Sequence, residues 1–161
     1  MASRAVDALI TYRIIKLLVT PFDRQEAFKY GIIDKDGKVL KKSKTLKTER
    51  ERKSYTVLHR FVFNLKRILK RVGLGSKLGS FAVALALLIR ENKEYEKHKL
   101  IIEGAIVTYL KETNQYVDLL NEEGDIPTFE PEQQVFCNCF GIDVYEYEDR
   151  LISEKEYAKT L

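Results

Sequence analysis

The stretch FAVALALLI, residues 81–89, constrains this chain more than any other. Within a helix expected over 77–92, Ala82, Ala84 and Ala86 alternate with Val83, Leu85 and Leu87, so apolar side chains point in every direction. Such a helix is stable only when neighbours cover all of its sides, which puts it at the centre of a bundle. The run spans 9 residues, roughly half of what a bilayer crossing needs. A core helix is expected, and no membrane partner.

Three one-sided helices can surround it. Val6, Leu9, Ile10, Ile14, Leu17 and Leu18 recur at helical spacing over 2–19. That helix should stop before Thr20-Pro21, where Thr20 can cap and Pro21 can open a new turn. A long helix over 49–72 is expected, opened by a Thr48/Glu51 capping box and closed at Gly73. The last, over about 96–122, carries Leu100, Ile101, Ala105, Ile106, Tyr109, Leu110, Tyr116, Val117 and Leu120 and ends at Glu123-Gly124.

Shorter elements fill the gaps. PFDRQEAFKY predicts a short helix ending at Gly31, and a hairpin over 31–41 turns at Asp36-Gly37. KKSKTLKTE at 41–49 is a basic link. After Ile126-Pro127, helical spacing gives way to β-branched and aromatic residues. An extended acidic C-terminal arm over 125–161 is expected, with one short strand and a half-helix at 153–160. The fold class is therefore mainly α: a helical bundle of about four main helices with one small β-hairpin, residues 1–124, followed by the arm.

The net charge of +4 over 161 residues hides a segregation. Residues 35–72 hold fourteen Lys/Arg against three Asp/Glu, a balance of +11. Residues 91–161 hold seven against seventeen, a balance of −10. Either the two parts pair with each other or each faces a charged partner. MASRAVDALITYRIIKLLV is broken by Arg4, Asp7, Arg13 and Lys16, so no signal-peptide core is expected.

The basic part centres on LHRFVFNLKRILKRVG, residues 58–73. At about 100° per residue, Val57, Phe61, Val62, Leu65, Ile68, Leu69 and Val72 share with Leu58 one arc of about 160°. Arg52, His59, Arg60, Lys66, Arg67, Lys70 and Arg71 occupy the opposite arc, with Phe63 among them. These eight are the candidate site residues. Three uses fit: cations that are solvated or pair with the acidic half, cations that neutralise phosphates while Phe63 stacks on an unpaired base, or a surface for an acidic protein.

Other motifs carry less. DKDG at 34–37 places Gly fourth, where a calcium loop needs it sixth, so a turn is expected. GSKLGS lacks the order of a phosphate loop and predicts a close helix contact through Gly75, Gly79 and Ser80. Cys137 and Cys139 in CNCFG are not spaced as a zinc knuckle and read as two reduced thiols. His59 and His98 stand in no nucleophile or metal motif, and His98 in EYEKHK reads as exposed. No catalytic residue, metal or cofactor is implied.

TYRIIKLLVTPF, AFKYGIIDKDGKVLKK and YTVLHRFVFNLKRIL, followed by a Gly-Ser turn and an alanine-rich helix, resemble a small-protein family of tailed bacteriophages. The resemblance covers residues 10–91. It implies a non-enzymatic virion structural or head-assembly protein, found in the particle interior or the host cytoplasm. Its partners would be other virion or assembly proteins, a further copy of itself, or packaged DNA met through residues 41–71. The runner-up function is a nucleic-acid-binding accessory or regulatory protein using the basic helix 49–72.

Overall fold

A computed structural model of the chain describes residues 4–71, 76–123 and 130–161. Among them the fold is mainly helical with one small antiparallel sheet. Helix α1, Arg4–Val19, buries Ile10, Ile14 and Leu18, a stripe at four-residue spacing. A 3-10 turn at Phe22–Arg24 leads into the short α2, Glu26–Lys29. Gly31, at φ +70°, ends α2: its N–H and that of Ile32 bond back to Phe28 and Ala27, a Schellman closure.

The turn expected at Asp36-Gly37 is present, with Gly37 at φ +83°. The Asp34 carboxylate accepts from the backbone N–H of Asp36 and Lys38, each at 2.9 Å. Those two bonds hold the Asp34 carboxyl below its usual range. The hairpin itself is reduced to one antiparallel bridge, Ile33 to Val39.

The helix expected over 49–72 is two helices. α3, Glu49–Ser54, opens with the Thr48/Glu51 capping box. The chain then breaks at Tyr55 (φ −145°, ψ 60°), and α4, Val57–Lys70, starts anew. Thr56 caps it through a second box in which His59 occupies the place normally taken by Glu or Gln. The helix expected over 96–122 is also divided. A 3-10 segment at Lys93–His98 precedes α6, Lys99–Glu112, and α7 follows at Tyr116–Glu123. Asn114 at φ +59° makes the break, and Asn114 and Gln115 bond back to Lys111 and Leu110 in a second Schellman closure.

Helix α5, Lys77–Glu91, is the central element, with nine buried residues from Leu78 to Ile89. It packs against α4, α7 and the sheet. Gly79 lies where an added Cβ would meet Ser153 Oγ at 3.3 Å, so its close contact is with the C-terminal sheet rather than another helix.

The C-terminal residues do not form an extended arm. Strands β1 (Val135–Cys139), β2 (Ile142–Tyr147) and β3 (Arg150–Ser153) make a meander, and α8, Glu154–Ala158, follows. Both turns are two-residue turns with positive φ: Phe140-Gly141 (54° and 78°) and Glu148-Asp149 (48° and 65°). Cys139, Ile142, Val144 and Leu151 enter the same core as α1, α4, α5 and α6. Tyr145 and Ile152, on the other face, pack with Tyr157 of α8. Apolar burial on both faces explains why the segment folds despite its acidic composition.

A second, smaller core joins Phe22, Ala27, Ile32, Ile33, Leu46, Tyr55 and Phe63. Helix α4 thus lies between two cores. The expected features at Val72, Gly73, Gly75, Gly124, Ile126-Pro127 and helix residues 2–3 fall outside the described residues. Among the described residues no helix is long and apolar enough to cross a membrane.

Candidate polyanion-binding cleft

The face of α4 opposite the main core is covered rather than open. Phe63 is 0% exposed, with the Phe22 ring edge-on at 5.6 Å and the Tyr55 ring stacked at 6.1 Å. It is a core residue and has no exposed face for a base. Lys66 donates to the carbonyl oxygens of Leu17 (3.3 Å) and Thr20, the open end of α1. Its ammonium also lies 4.3 Å from the Phe22 ring centroid. Burial, then the charge of Lys70, lowers the Lys66 pKa to about 8.

The other candidates are similarly engaged. Arg67 donates to the Gly37 carbonyl at 2.7 Å and fastens the turn to α4. Arg60 pairs with Glu91 at 3.2 Å, and Arg71 donates to Ser80 at 3.1 Å, both reaching α5. Arg52 donates to the Lys47 carbonyl at 2.8 Å and braces the link before α3. Lys70 lies over the Phe22 ring at 5.0 Å. Each of these residues thus has a contact within the chain; Arg60, Lys66 and Arg67 are part-buried by it, whereas Arg52, Lys70 and Arg71 stay exposed.

His59 is not a surface cation either. Its Nδ1 accepts from the Thr56 hydroxyl at 2.7 Å and the Thr56 N–H at 3.3 Å, which places the proton of a neutral ring on Nε2. Burial, then the charge of Arg13, pushes its pKa down to about 4. His98, expected on the surface, is buried and bonded to Asp7 of α1 at 2.8 Å. No group of His, Cys, Asp and Glu suited to a metal occurs among the described residues.

A further group of exposed cations lies beside this face. A cleft of about 540 Å³ opens between α1, α2, α3 and the start of α4, a size typical of ligand sites. Arg13 and Lys16 of α1, Arg24 of the 3-10 turn, and Arg50 and Lys53 of α3 line it, and all five are exposed. Among the described residues, Glu26 is the one carboxylate in the lining. Tyr12 and Tyr30 present rings at the same cleft, while Gln25, Ser54 and His59 form inner wall. Gln25 is buried and donates to the Thr20 carbonyl at 3.1 Å, which ties the α2 side of the cleft to α1.

Two lining charges have neighbours of opposite sign: Glu26 with Lys29 at 3.3 Å and Lys53 with Glu49 at 3.0 Å. Exposed pairs of this kind hold little energy and open readily. The cleft's field remains positive, and low-dielectric walls concentrate it. It continues into the link at 41–49, because Lys41 donates to the Tyr30 carbonyl at 3.2 Å. Over 35–53 the chain exposes Lys35, Lys38, Lys41, Lys42, Lys44, Lys47, Arg50, Arg52 and Lys53.

The α1 contribution escapes a reading that starts from the basic helix. Tyr12, Arg13 and Lys16 carry a signal nonetheless, since they stand off the Ile10, Ile14, Leu18 stripe and share a face. No protein-family model matches the chain, and no curated protein or solved structure matches it.

Proposed function

We propose that this chain is a non-enzymatic assembly protein of a tailed bacteriophage that holds packaged nucleic acid in the cationic cleft and along the basic ribbon at 35–53. The cleft's content carries the reading: among the described residues, five exposed cations and two tyrosines surround a single carboxylate. Cations neutralise phosphates and release counterions, and tyrosine rings stack on unpaired bases. The phage setting is supported by the resemblance over residues 10–91.

The test is anisotropy of a labelled single-stranded oligonucleotide against salt. The five lining cations should contribute roughly −3.5 to the slope of log affinity on log salt, beside what the ribbon adds. Changing Arg13, Arg24, Arg50 and Lys53 together to Gln should remove most of that contribution. Absence of binding at low salt, or a slope the variant leaves unchanged, overturns the proposal.

A second reading rests on the acidic residues exposed at one end of the sheet, Glu146, Glu148 and Asp149. An acidic assembly partner, or another copy of the chain presenting that end, would suit the same cleft. Self-association that the cleft variant abolishes, without oligonucleotide binding, favours this reading.

A further inference from the structure

We propose that Cys137 and Cys139 form a redox-active dithiol that exchanges with small disulfides of the glutathione type, Cys137 attacking and Cys139 resolving. The pair stands on β1, an edge strand, and residues two apart on a strand share a face. Both thiols are reduced, with Sγ atoms 3.3 Å apart. A disulfide requires about 2.05 Å, so closing the ring needs an approach of roughly 1.3 Å. The register shift between Val135 and Cys137 supplies backbone slack at the attacking residue.

The two sulfurs are unequal. Cys139 is 0% exposed, within the core beside Ile142 and Val144, whereas Cys137 is half-buried. A small disulfide therefore reaches Cys137 first. The charges agree with that order. The hydrogen bond between the two sulfurs holds the Cys137 thiol below its usual range against its burial, aided by the Lys99 ammonium and opposed by Glu103 and Glu96. Lys99 is kept there by the Asn138 carbonyl and by Glu103 at 3.3 Å. The same hydrogen bond, with burial, pushes Cys139 up. Two thiols alone are a poor closed site for zinc, which takes four ligands.

The chemistry balances in two steps. The Cys137 thiolate bonds to one sulfur of the small disulfide, whose S–S bond breaks, and the released thiolate takes up the proton Cys137 gave. Capping removes the negative charge beside Cys139, so its thiol can then lose a proton and attack Cys137 Sγ. The bond from Cys137 to the small thiol breaks, and that thiol leaves with the proton. The protein is oxidised by two electrons, and the small disulfide is reduced to two thiols.

The full chain, treated with glutathione disulfide under native conditions, should become lighter by two hydrogens in intact mass spectra without forming a disulfide between two chains. Cys139→Ala should stop at the stage carrying one glutathione. Cys137→Ser should react at least about tenfold more slowly than Cys139→Ala, because its remaining thiol is buried. Differential alkylation of the unaltered chain, Cys137 before Cys139, tests the same order without any substitution. Reaction only in denaturant, first modification at Cys139, or cross-linked dimers in place of the ring would overturn the proposal.

Discussion

The cations of α4 and the cations of the cleft are chemically alike and are used in opposite ways. Three of those on α4 turn inward while Lys70 stays exposed: Lys66 closes the end of α1, Arg67 fastens the turn at Gly37, and Arg60 reaches Glu91 on α5. Those at Arg13, Lys16, Arg24, Arg50 and Lys53 stand in solvent around a cavity. The difference lies in the second core. Phe22, Tyr55 and Phe63 cover the side of α4 that a helical wheel marks as polar, so long cationic side chains there find backbone carbonyls instead of water. A wheel identifies the face that is apolar. Whether the opposite face is covered depends on elements distant in sequence.

The largest effect should come from Phe63→Ala. With a fully buried ring between Phe22 and Tyr55, truncation should cost about 3–5 kcal/mol in chemical denaturation. Oligonucleotide affinity of the folded fraction should hold. A stability change under about 1 kcal/mol together with a loss of single-strand affinity would return Phe63 to the role of a stacking platform and reverse the comparison.

Gly37→Ala probes the same core from the turn. Gly37 sits at φ +83°, and a Cβ would run into the buried Phe22 ring. Strain and overpacking together should cost about 1–3 kcal/mol. Arg67→Gln removes the bond to that residue's carbonyl and should cost about 1–2 kcal/mol, again with binding intact. The fourfold cleft variant should behave conversely: stability within about 0.5 kcal/mol of the parent, since its residues are exposed, and binding lost. Equal stability losses on both faces would dissolve the distinction between them.

The sequence makes some of this legible and hides the rest for physical reasons. The all-round apolarity of FAVALALLI marks the central helix, and Thr48/Glu51 and Gly31 mark real helix ends. The breaks at Tyr55 and Asn114 are harder to see. One depends on His59 acting as a capping partner, the other on Asn taking the conformation usually left to Gly. The sheet is concealed by its second turn, where Glu148-Asp149 adopts positive φ without a glycine. Phe63 gives the best retrospective clue to the candidate site. One large aromatic within a stripe of cations gains stability by burial, and here it marks the hidden core.

The smallest effect, a shift in proton balance, tests where the cleft ends and the packed interior begins. His59 lines the cleft, yet its pKa is held near 4 by burial and by Arg13, against about 6.5 when unfolded. Between those values the unfolded chain binds the extra proton. This contribution to stability is therefore complete above pH 6.5 and is lost as the pH falls toward 4. His59→Gln retains a capping side chain for Thr56, so its stability at pH 7 should lie within about 1 kcal/mol of the parent, while its decline over that acid range is shallower. A phosphate seated by Arg13 would offset the guanidinium charge and raise the His59 pKa. Binding near pH 5 should then take up protons, measured as a dependence of calorimetric heat on buffer ionisation, and His59→Gln should abolish that uptake. Proton uptake equal in the parent and the variant would mean that the anion sits away from this wall of the cleft.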